Sequence, residues 1–202
     1  MIELVHRKSD TAIIVIHEIY GINQHMNSFC AFLSEHNFDV ICPNLLGRDT
    51  PFDYSQEEIA YQNFMENVGF ENALHKVKSV LSDIRNEYKR IYIVGFSVGA
   101  TIAWLCSEEE SVDAVVGYYG SRIRDYVTIL PKSPTLLFFP QEEKSFNVDE
   151  LISVLEKRKI KVFKFRGQHG FSDSYSSKYN KESAQKATNQ MMLFFRNIIE
   201  FP

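Results

Sequence analysis

Cysteine is scarce in this sequence. Cys30, Cys42 and Cys106 are odd in number and far apart, and no C-x-x-C or His partner stands at metal-ligand spacing, so neither a disulfide framework nor a zinc site is suggested. Free cysteines of this kind behave as small hydrophobes, and buried thiols are expected. Long apolar runs are missing as well. The first, Ala12 to Ile16, follows Glu3, Arg7, Lys8 and Asp10 and is too short for a signal-peptide core or a membrane span, so a cytoplasmic protein with no membrane contact is expected. Nor is there a basic stripe. The 22 Lys and Arg are scattered among 26 Asp and Glu, a net charge of −4, which argues against nucleic acid as a partner. With only 9 Gly and 6 Pro there is no linker-rich or low-complexity tract to divide the chain, and no internal repeat, so one domain over residues 1–202 is expected.

What the chain does contain is short apolar runs alternating with longer amphipathic stretches, the pattern of an α/β protein with a mostly parallel sheet flanked by helices. Strands are expected at Ala12 to Ile16, Phe38 to Cys42, Ile91 to Val94, Ala114 to Tyr118, Thr135 to Phe139 and Lys161 to Phe165. Helical spacing marks Met26 to His36, Phe70 to Tyr88, Val98 to Glu108, Val148 to Arg158 and Glu182 to Ile199. In the last of these, Ala187, Met191, Phe194, Phe195 and Ile198 recur at steps of three and four and form one apolar face for the sheet. Two polar connections, Gly47 to Glu58 and Gly167 to Lys181, are long enough to be functional loops.

One stretch carries chemistry. Gly95-Phe96-Ser97-Val98-Gly99 is a G-x-S-x-G directly after an expected strand and directly before an expected helix, the context of a nucleophile elbow. The glycines leave room for a tight turn that exposes the serine hydroxyl. A serine hydroxyl is a poor nucleophile at neutral pH and needs a base, which in turn needs an orienting acid. In α/β-hydrolases the order is Ser, acid, His, and of the six histidines only His169, in the loop Gln168-His169-Gly170, follows Ser97. The acid belongs just after the strand ending at Phe139, where Glu142 and Glu143 stand; Glu143 is favoured, with Asp149 on the next helix as another possibility. The strand ending in His17 and Glu18 brings ionisable groups to the carboxyl edge of the sheet, where open α/β folds bind ligands. It is not the helical H-E-x-x-H of a zinc protease, because the second histidine is missing.

Five ordered segments together resemble the dienelactone hydrolase family of α/β-hydrolases: HEIYGIN at 17–23, ICPNLLGR at 41–48, VGFSVGA at 94–100, VVGYYG at 115–120 and QHGFSD at 168–173. The resemblance covers nearly the whole chain. It implies a three-layer α/β-hydrolase fold, with Ser97 at the nucleophile position that the founding enzymes fill with cysteine; no metal and no cofactor are expected. It puts Glu143 at the acid position, His169 at the base, Glu18 beside the nucleophile, and the backbone amides of Ile19 and Val98 in the oxyanion hole. His17 is expected either at the rim or just behind it as a support for the site residues, and Tyr61, Phe64 and Tyr119 are expected to line the substrate pocket.

Two departures stand out. By alignment, the arginines that clamp the dienelactone carboxylate in the founding enzymes fall near Glu57 and at Asp173, so dienelactone itself is expected to be a poor substrate unless Arg48, Arg122 or Arg124 compensates. The expected function is hydrolysis of a small carboxylic ester or lactone through an acyl-enzyme on Ser97, by a monomer or homodimer. Thioesterase or peptidase activity, and a non-catalytic binding protein of the same fold, remain open at this level.

Overall fold

The segment Thr11–Ile16, TAIIVI, has β-branched residues in succession and all six are buried. Such a run suits a strand covered on both faces. It forms β2 near the centre of a seven-stranded sheet in a computed structural model that describes residues 1–5 and 9–200. His6, Arg7 and Lys8 of the sequence argument lie outside the described residues. The other strands are β1 (Ile2–Leu4), β3 (Asp39–Cys42), β4 (Arg90–Phe96), β5 (Ala114–Tyr118), β6 (Thr135–Pro140) and β7 (Lys161–Phe165), in the order β1-β3-β2-β4-β5-β6-β7. All neighbours pair in parallel except β1, which lies antiparallel along β3.

Alternation along β2 divides the core. Ala12, Ile14 and Ile16 face a cluster shared with α2 (Glu57–Asn63), α3 (Gly69–Ile84) and α4 (Val98–Cys106), while Ile13 and Val15 face one shared with α1 (Gln24–Glu35) and α6 (Lys181–Glu200). A third cluster puts α5 (Val148–Lys157) against Trp104, Leu137 and Phe139. Helices thus cover both faces of a mostly parallel sheet. Because the strands run the same way, the carboxyl ends of β2, β4, β6 and β7 share one rim, and the loops leaving that rim carry Glu18, Ser97, Glu143 and His169.

Three differences from the sequence reading have local causes. β1 was not foreseen: three residues are too few to show a period, and only pairing with β3 makes them a strand. The connection expected to be irregular from Gly47 to Glu58 ends sooner, with a 3-10 turn at Tyr54–Gln56 capped by the Asp53 side chain and α2 beginning at Glu57. After α2 the helix widens into a π turn, Phe64–Val68, before Gly69 (φ 69°) turns the chain into α3. That π turn rotates the side chains after Asn63 out of α2's phase, a feature that 3.6-residue periodicity cannot anticipate.

Candidate active site

Ser97 joins β4 to α4 at φ 53°, ψ −115°, a backbone state that non-glycine residues rarely hold unless their surroundings enforce it. Here packing enforces it. A Cβ on Gly95 would stand 2.1 Å from the Gly99 carbonyl oxygen, and a Cβ on Gly99 would stand 2.3 Å from that of Ile16. The elbow is therefore pressed onto the end of β2, and the Ser97 amide is tied to the Tyr118 carbonyl at 2.9 Å.

His169, in the loop after β7, reaches back over the elbow. Its Nε2 is 2.8 Å from Ser97 Oγ, and its Nδ1 is 2.6 Å from Glu143 Oε1 in the loop after β6. If Nδ1–H donates to the carboxylate, Nε2 is left to accept from the hydroxyl. The Glu143 side chain is 6% exposed, so water competes little for its oxygens. Glu142 makes no such bond, and Asp149 is on the outer surface, ion-paired to Lys164.

Ser97 and His169 open on a cavity of about 930 Å³ whose wall also includes Ile19, Val98 and Tyr61. The Ile19 amide has no hydrogen-bond partner among the described residues, and that of Val98 begins α4, where a helix leaves its first N–H groups free. Two unclaimed donors thus belong to residues lining the same cavity as Ser97.

Phe64 and Tyr119 do not line this cavity. Phe64 is fully buried in the core, edge-on to Phe70, because the π turn directs it inward. Tyr119, also fully buried, lies beneath the cavity, where its hydroxyl donates to Glu18 Oε1 (2.9 Å) and meets Ser172 Oγ (2.9 Å). Of the three aromatics only Tyr61, about two-fifths exposed, is in the wall.

Of the two positions expected for His17, the structure has it in the supporting one, as a buried strut. Its Nε2 accepts the Leu45 N–H (3.0 Å) and its Nδ1–H donates to the Glu18 carbonyl (2.7 Å), which fixes the tautomer and ties the end of β2 to the loop after β3. Burial pushes its pKa down to about 4, so it holds these bonds as the neutral ring. Glu18 is also buried, and no hydrogen bond joins it to Ser97 among the described residues. Burial first, and then the nearby Asp173 charge, push its pKa up to about 7.

The departures at Glu57 and Asp173 separate in space. Glu57 is in the cavity wall, with Lys178 Nζ 3.1 Å from its Oε2. Asp173 is buried behind the cavity, accepting from Tyr54 O–H at 2.5 Å, and does not meet the substrate space. Of the three arginines considered, Arg122 is in the wall. Sequence reasoning missed His25 altogether. It is on α1, four residues before Phe29 and eight before Leu33, so a polar ring at an apolar phase of the helix was the available signal. Its Nδ1 faces Glu18 and Asp173, the one group of three His, Cys, Asp or Glu side chains among the described residues arranged to hold a metal ion.

A mostly parallel sheet between helices, with a serine elbow after β4 and the histidine after the last strand, defines an α/β-hydrolase. The chain belongs to the dienelactone hydrolase family, whose profile matches residues 4–199. It is 38% identical over 172 residues to the uncharacterized protein YczH of Bacillus subtilis, covering 84% of each chain. It is 27% identical over 135 residues to the carboxymethylenebutenolidase of Pseudomonas putida, covering 61% of this chain and 57% of that protein. Its fold resembles that of a dienelactone hydrolase-like promiscuous phosphotriesterase, P91, from metagenomic libraries, with a TM-score of 0.74, 15% identity, and coverage of 93% and 86%.

Proposed function

We propose that this protein is a serine hydrolase that cleaves a small, uncharged carboxylic ester or lactone through an acyl-enzyme on Ser97. The observation that carries this reading is the unbroken relay from Glu143 through His169 to Ser97, at 2.6 and 2.8 Å, opening on a cavity.

In this reading Ser97 Oγ attacks the substrate carbonyl while His169 Nε2 takes its proton. Glu143 holds the ring and stabilises the imidazolium that forms. The carbonyl oxygen becomes an oxyanion and is met by the Ile19 and Val98 amides, a kind of donation whose loss costs about 3 kcal/mol of barrier per donor in comparable sites. His169 returns the proton to the leaving alcohol, and water, activated by the same ring, then frees Ser97. The family supports ester or lactone chemistry, and the carboxymethylenebutenolidase relative is named for a lactone-opening activity.

Hydrolysis of p-nitrophenyl acetate and butyrate tests the reading directly. Ser97→Ala is expected to lower kcat by about 10⁴-fold or more, with an unchanged thermal melt. Equal rates from the two proteins reject the serine mechanism.

A further inference from the structure

We propose that Glu18, His25 and Asp173 form a buried binding site for one divalent transition-metal cation of the zinc type, behind the wall that carries Ser97. None of the three touches the serine relay, and the site stands whether or not Ser97 turns over esters.

The geometry is specific. His25 Nδ1 is 3.9 Å from Glu18 Oε1 and 3.8 Å from Asp173 Oδ2, and all three atoms lie within 4.8 Å of one another. These separations are too long for hydrogen bonds. They enclose a point roughly 2.2–2.5 Å from each atom, close to the bond length of a cation to carboxylate oxygen and imidazole nitrogen. His25 is 5% exposed, Glu18 5% and Asp173 1%.

The second observation is independent of the carboxylates: His25 Nδ1 is buried and has no hydrogen-bond partner. If Nδ1 carries the proton, no acceptor is in reach. If it carries the lone pair, that pair faces two oxygens. The second tautomer is the one a cation can use, because its lone pair is free to bind metal, and a buried polar group left unmatched costs about 1–3 kcal/mol.

Hydrogen-bond donors hold the two carboxylates in place. Tyr54 O–H donates to Asp173 Oδ2 (2.5 Å), the Tyr175 amide donates to Asp173 Oδ1 (2.9 Å), and Tyr119 O–H donates to Glu18 Oε1 (2.9 Å). Asn23 Nδ2 in turn donates to the Tyr54 oxygen at 3.2 Å. Hydrogen bonds of this kind orient metal ligands and set their basicity. Two carboxylates with one imidazole suit zinc or manganese; the nitrogen donor disfavours calcium and magnesium. A dication would match the two negative charges.

Tag-free protein, stripped with EDTA and dialysed, is titrated with Zn²⁺ by calorimetry, and zinc-edge X-ray absorption is recorded on the complex. One equivalent is expected to bind, through oxygen and nitrogen with a single imidazole. Asp173→Asn and His25→Gln are each expected to weaken it by at least about tenfold, while the exposed-site control His36→Gln binds like wild type. Melting curves check that the variants are folded. If they are not, the absorption spectrum of the wild type decides alone. No binding at 1 mM Zn²⁺, sulfur ligation from the cysteines, or equal affinity in folded variants overturns the proposal; the first of these means that the two carboxyl groups share a proton or a water instead.

Discussion

At the scale of single residues, the two adjacent glutamates after β6 give a sharp contrast. Glu143 is within 2.6 Å of His169 Nδ1, whereas Glu142 reaches no part of the relay. In a serine hydrolase, losing the orienting charge costs up to about 10⁴-fold in kcat. Steady-state kinetics on a chromogenic ester should therefore find Glu143→Gln slower by 10²- to 10⁴-fold and Glu142→Gln within about threefold of wild type. The reverse ranking would remove Glu143 from its proposed role. Ser97 and His169 could be picked out in the sequence as candidates for nucleophile and base, because the elbow motif and the order of the chain single them out. Choosing between neighbouring glutamates was harder, since it depends on which way a loop turns. The pocket assignments of Phe64 and Tyr119 failed because an aromatic side chain has the same letter whether it lines a cavity or fills a core. His25 and Asp173 gave no spacing signal; α1 and the loop after β7 meet only in the folded chain.

At the scale of elements, the expected strands fall within a residue or two of those observed over β2 to β7, because each is a dense apolar run bounded by polar residues. The amphipathic helices were legible for the same reason. The stretch from Glu57 to Val68 was not, since its polar composition hides α2 and its widened turn breaks the helical period. Phe64 is the residue that turn delivers to the core, against Phe70 and beside Val68. Phe64→Ala should lower unfolding stability in urea by about 3–5 kcal/mol, the range for emptying a buried aromatic site, while KM for a small ester stays within about twofold in protein that remains folded. A large KM change at unchanged stability would return Phe64 to the pocket.

For the whole molecule, charge sorts the candidate substrates. The cavity wall has Glu57, Glu58, Glu142 and Glu143 against Arg122, Lys144 and Lys178, and Lys178 is already engaged with Glu57. The chain as a whole has a net charge of −4. An ester with its own carboxylate approaches a like-charged mouth, so kcat/KM for a neutral ester should exceed that for an anionic ester of equal size by about tenfold at low salt. The gap should narrow as ionic strength shortens the reach of these charges. An anionic ester turned over equally well or better would mean that Arg122 does outweigh the glutamates.

The segment after β7 sets His169 over the serine, then two and four residues later sinks Phe171 and Asp173 into the interior, 0% and 1% exposed. A flap hinged there would have to drag an aromatic ring and a carboxylate out into water each time it opened, so this stretch acts as a fixed bracket. Passage for an incoming molecule then falls to the opposite bank, where α2 presents Tyr61 and the exposed Glu57 to Lys178 ion pair spans the gap between helix and bracket.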